Sequence, residues 1–177
     1  MAVEQFNLAD GQRAERKLLI TVAEWTETVG TTPTQVREIL GRRTEDSSIE
    51  YNPDIQTSTD ILGINYTDVN KTQPQQDFDP FLILGGSKLG AFLNDKRKRN
   101  ALSELSSFTL YIITAFVGDA TNGYSAEKHE DCTILYNSMG GDANVNMPIS
   151  VYFSNKVTSG TVDKLSDDFT FTPDVTV

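Results

Sequence analysis

The sequence predicts a mainly β fold: a β-sandwich or open barrel with one flanking α-helix and a long projecting loop. Three observations predict it. Extended stretches with hydrophobic–polar or two-faced apolar patterns recur along most of the chain. Only one segment has strong helical periodicity. Turns built from Gly, Asn and Pro separate the stretches. With 177 residues the chain reads as one domain, 1–177, long enough to bury a core without staples.

Taken in order, "ERKLLITVAEW" (15–25) places Leu18, Ile20 and Val22 on one face of a strand and Leu19, Thr21 and Ala23 on the other. "VGTTPTQVREILGRR" follows; its Val36, Ile39 and Leu40 fit either a helical turn or a strand. Two extended stretches, 47–57 and 59–66, flank an Asn52-Pro53-Asp54 turn, and the proline marks an edge or bent strand. Residues 67–81, "TDVNKTQPQQDFDPF", hold little apolar content before Phe78 and two prolines, which predicts a long projecting loop or arm.

The helix is predicted over 87–99. Ser87 can cap it, Leu89, Phe92 and Leu93 form its apolar stripe, and the basic run "KRKR" fills its last turn. "SSFTLYIITAFVG" (106–118) is apolar on both faces, as a central strand covered on both sides would be. In "YSAEKHEDCTILYN" (124–137), strict alternation puts Tyr124, Ala126, Cys132, Ile134 and Tyr136 inward. Glu127, His129 and Asp131 then fall on the polar side. "ANVNMPISVYFSN" (143–155) alternates cleanly, and shorter strands at 157–165 and 168–172 follow.

Composition narrows the function classes. Net charge is −10, with residues 100–177 carrying −7 of it, so that half repels phosphate and specific nucleic-acid binding is not expected. The lone Cys132 cannot form an internal disulfide, which fits a reducing compartment. The N-terminal sequence lacks a basic-then-apolar signal pattern, and no run of about 18 apolar residues offers a membrane span. Synthesis in the cytoplasm is the expectation.

Catalytic and metal patterns are not assembled in the sequence. His129 reads as an exposed strand residue and Cys132 as a buried, inert thiol. Asp77 and Asp79 share a calcium-loop spacing without the rest of such a loop. "GGSKLG" lacks the remainder of a phosphate-binding pattern, and no serine lies in G-x-S-x-G. The expectation is a non-enzyme with no cofactor and no metal site.

The ordered combination "IEYNPDIQTSTDILG", "DVNKTQPQQDFDPF", "GGSKLGAFLND" and a strongly apolar strand resembles the tail tube (major tail) proteins of long-tailed bacteriophages, from about residue 15 onward. "VNMPISVYFSN" and "KVTSGTVDKL" resemble that family's closing strands. The same fold serves as the inner tube of contractile tails, phage-tail-like bacteriocins and type VI secretion systems, which is the alternative reading. The resemblance implies a structural virion protein: hexameric rings of this chain, stacked into a hollow tube through which DNA passes during ejection. It implies as partners further copies of the chain and the tail tape measure, tail terminator and baseplate proteins. The location implied is the virion tail, after assembly in the host bacterial cytoplasm.

For subunit contacts the resemblance points to Tyr51, Asn52 and Asp54 of the first extended region. In the 67–81 segment it points to Asn70, Lys71, Gln73, Gln75, Gln76, Asp77 and Phe78. The basic helix end, heavier than that family's pattern, adds Lys96 and Arg97 as a contact to an acidic neighbour. Glu127 and Asp131 are the expected lumen-lining pair, where fixed negative charge would let DNA slide. Deleting 70–77 is expected to abolish tube growth and spare the monomer. A carbohydrate- or protein-binding β-sandwich and a hydrolase are the competing classes. The first would expose aromatics on one face, and the second would need a convergent polar cluster.

Overall fold

A computed structural model describes residues 5–29 and 31–174. Among the described residues, eleven strands, one α-helix and two short 3-10 turns follow one another. The strands are β1 (Leu19–Val29), β2 (Thr32–Ile39), β3 (Ile49–Glu50), β4 (Asp54–Thr59), β5 (Asn65–Lys71) and β6 (Gln75–Phe78). After helix α1 (Lys88–Arg99) come β7 (Phe108–Asp119), β8 (Gly123–Tyr136), β9 (Ile149–Tyr152), β10 (Val157–Val162) and β11 (Phe171–Pro173).

A 9-stranded antiparallel sheet runs β2-β1-β7-β8-β9-β6-β3, with β10 on β8 and β11 on β10. Strand β8 joins its two halves. Its first part pairs with β7 and β10, and its last turns over to pair with β9. The sheet folds back on itself, so that β1 faces β6 across the interior, where Thr21 Oγ1 donates to Gln76 Oε1 at 2.8 Å. The mainly β class with one flanking helix is therefore what the chain adopts.

Two-faced strands build two cores. Leu19 and Ala23 of β1 and Phe108, Leu110 and Ile112 of β7 point inward with Cys132, Ile134, Ile149 and Val151. Helix α1 closes this interior through Leu89 and Leu93, while Phe92 packs on Trp25 and Phe108. On the opposite face, Val22, Tyr111, Ile113 and Ala126 pack under the C-terminal segment through Val162 and Phe169. Such two-sided cover explains why 106–118 is apolar on both faces. The region around Val36 and Ile39, open in the sequence between helix and strand, is strand β2.

Helix α1 begins and ends as its residues require. Ser87 Oγ accepts the Gly90 amide, and Asn100 closes the helix in the left-handed conformation with φ 52°.

Strict alternation fails in β8. Asp131 adopts φ 58°, and the β7–β8 register slips between Phe108↔Cys132 and Leu110↔His129. The bulge brings His129 onto the same side as Cys132 and Ile134 and sends Ala126 to the other core. His129 is consequently buried at 4% exposure, not exposed as expected. Its ring meets Phe153 edge-on at 5.1 Å.

Candidate functional site: an uncovered hairpin arm

Strands β4 and β5 pair only with each other and form a separate 2-stranded sheet. Every residue of both strands is exposed. The arm starts from a pinned base: Gln73 N donates to Tyr51 O, and Asn52 Nδ2 donates to Gln73 O. Asn52 sits at φ 41°, a conformation asparagine tolerates, and this turns the chain out of the sheet ahead of Pro53.

Along one face of the arm the pairs are Ile55–Val69, Thr57–Thr67 and Thr59–Asn65, with Thr59 Oγ1 donating to Asn65 Oδ1 at 2.6 Å. The tip is held by Asp60, whose Oδ1 accepts the amides of Leu62 and Ile64. Gly63 occupies the position of positive φ that the turn needs. Its apolar side chains stand open to solvent among the described residues: Ile61 is 102% exposed and Leu62 78%. Ile55, Ile64, Tyr66 and Val69 are exposed as well. A lone two-stranded hairpin is marginal in water, and contiguous exposed apolar surface marks a contact site.

The projecting segment therefore lies at 54–71, earlier than the expected 67–81. Residues 75–78 form β6, paired with β9 on one side and β3 on the other. Phe78 is a core residue at 1% exposure and Gln76 is equally enclosed, so neither is a surface contact in the protomer. The cause is a long-range contact: Gln76 enters the interior, where Thr21 Oγ1 donates to its Oε1. Of the other expected contact residues, Tyr51, Asn52, Asp54, Asn70, Lys71 and Gln73 all lie exposed on the arm or at its base. Gln75 Nε2 donates to the Asp77 carboxylate, both on β6. The arm's apolar residues were the missed signal, and "DILGIN", a branched apolar run within a turn, is where they could have been seen.

Lys96 is not a free surface cation. It is 8% exposed, lies 4.5 Å over the Phe92 ring and is bound to Glu104. That contact and burial's opposition together leave the Glu104 carboxyl below the usual range, with the Lys96 hydrogen bond the larger cause. Arg97 is exposed and donates to Asn94 Oδ1. Arg99 pairs with Asp95 within the helix.

Glu127 and Asp131 are both exposed, and the bulge at Asp131 interrupts the alternation that would place them on one face. Glu127 is held below its ordinary pKa by His129, whose Nε2 is 3.4 Å from Oε2. Asp131 is paired with Lys156, which also binds Glu130. The Glu130 carboxyl is lowered chiefly by Lys128 and next by Lys156. Cys132 is buried, and burial pushes its thiol up.

Among the described residues no group of three or more His, Cys, Asp or Glu is placed to hold a metal ion. No helix among them is long and apolar enough to cross a membrane.

No family model matches the chain, and no curated protein does. A chain of the anti-feeding prophage (AFP) baseplate, solved by cryo-EM with 6-fold symmetrisation, is similar at a TM-score of 0.43 and 10% identity. The match covers 82% of this chain and 94% of that chain. A likeness at that level carries no argument about what this chain does.

Proposed function

We propose that this protein is a structural tail tube protein: rings of the chain, six to a ring, stack into the hollow tube of a phage tail through which DNA is ejected. The role is structural and not catalytic, and the tube would meet tape measure, terminator and baseplate proteins at its core and ends. The supporting observation is the β4–β5 arm, an exposed hairpin whose apolar side chains are not covered by the other described residues. Its ordering outside the sheet makes sense if another copy covers it, since exposed strand margins recruit further strands or surfaces. The sequence resemblance supplies the class, and the net charge of −10 suits a conduit that must not trap DNA.

Electron microscopy of the concentrated protein tests this directly. Hollow rods or rings are expected, and a protein that stays monomeric up to its solubility limit would contradict the reading. Co-purification of a sheath protein would move the tube into a contractile tail, a bacteriocin or a secretion system.

A further inference from the structure

The open end of the sandwich contains a cavity of about 410 Å³, between the start of β1, the end of β2 and β6. This falls within the range of about 300–1,000 Å³ typical of ligand pockets. Its walls are mixed: Leu19, Ile20, Ile39, Leu40 and Phe78 form an apolar part, beside the polar Thr21, Thr44 and Ser47. Gln76 also lines it, and this side chain is one bond short: Oε1 accepts from Thr21, while Nε2 is enclosed and has no partner. Exchanging the two amide atoms would move the deficit to the oxygen without removing it. An unmet buried polar group is destabilising, so a cavity with such a group favours an occupant that brings a matching one.

The same chain carries a segment of that description. The arm tip presents Ile61, Leu62 and Ile64 to solvent. Among the described residues the Ile61 and Leu62 carbonyls accept no hydrogen bond. Charge agrees as well. Arg16 and Lys17 stand at the cavity, Lys17 paired with Glu15, and Arg42 and Arg43 occupy the adjoining turn with Glu45 and Asp46, which leaves this end one positive charge in excess. The arm carries Asp54, Asp60 and Asp68 against Lys71.

We infer that the cavity beside Gln76 receives the β4–β5 tip of a second copy of this chain, Ile61 and Leu62 filling its apolar part and a tip carbonyl accepting from the Gln76 amide. This rests on the self-assembly reading and names the surface on which the arm lands. The Asp60 carboxylate would enter last, beside the Arg16 and Lys17 rim, so the docking should weaken with salt.

Site-directed crosslinking tests it with the full chain. Copies carrying Leu62→Cys are mixed with copies carrying Glu45→Cys, oxidised at high concentration, and the linked peptides are identified by mass spectrometry. Both positions are exposed, and the native Cys132 is buried and does not compete. The inference expects a 45–62 link at least ten times more abundant than a 62–142 link formed with Asp142→Cys copies. Rods without that link would overturn the inference and leave the tube reading standing. The link without rods would support the docking and contradict the tube. Neither rods nor link would overturn both.

Discussion

Glu38, on edge strand β2, caps the helix that closes the core: its Oε2 accepts the Leu89 amide at 2.7 Å, and its Oε1 accepts from Ser87 Oγ at 2.9 Å. Ser87 itself accepts the Gly90 amide, so one carboxylate satisfies one helix amide directly and orients the cap for another. Anionic groups are favoured at that end of a helix by its dipole.

Glu38→Ala should therefore loosen α1 against β2. A charged cap of this kind contributes about 1–2 kcal/mol, which for a chain of this size lowers Tm by roughly 2–8 °C. Thermal unfolding followed by circular dichroism measures it, and Glu38→Gln should recover part of the loss.

Arg37, next to it, points to the opposite face and fastens the C-terminal segment. It binds Glu24, donates to Phe169 O, and lies 4.4 Å over the Phe169 ring. Glu24 is 6% exposed, so Arg37→Ala leaves a nearly buried carboxylate without its cation. A loss of about 3–5 kcal/mol is expected, read as a lower denaturation midpoint in urea.

Tyr111 belongs to the same cluster, with its hydroxyl donating to Glu24 Oε2. Burial, and next the Glu24 charge, push its pKa up to about 12 from 10.0. The folded value lies above the unfolded one, so the contribution is fully present below pH 10 and is lost as pH rises towards 12. Stability should fall over that window by no more than roughly 3 kcal/mol from this group. The corresponding part of the alkaline decline should be missing in Tyr111→Phe, as denaturant titrations across the window will show.

Gly160 is needed for a close approach, not for an unusual backbone angle. A Cβ there would lie 2.3 Å from Thr172 O and 2.7 Å from the Phe171 ring. Gly160→Ala should displace β11 from β10. Proteolysis should then release the C-terminal residues many times faster than from the wild type, while the rest of the domain stays intact.

Much of this architecture is legible in the residues because burial enforces periodicity. The faces of 15–25 and 106–118 were readable since most of their apolar side chains enter one of two covered cores. The helix was readable from Ser87, its apolar stripe and its basic end. The bulge at Asp131 was not, because an aspartate at positive φ leaves no pattern in a polar stretch, and the faces of His129 and Ala126 depend on it. Nor was the placement of Gln75–Phe78 in the sheet. A glutamine pair between prolines looks solvated, and only Thr21, 55 positions away, shows why Gln76 is inside. The expected deletion of 70–77 would accordingly remove part of β6 and damage the monomer.

The most direct test of the central claim is to shorten the arm where it lies, joining Asp54 to Lys71 through a tight turn, and to compare sedimentation of this variant with the wild type at high concentration. The account predicts large hollow assemblies for the wild type and a folded monomer with near-native Tm for the shortened chain. Equal assembly by both would contradict it.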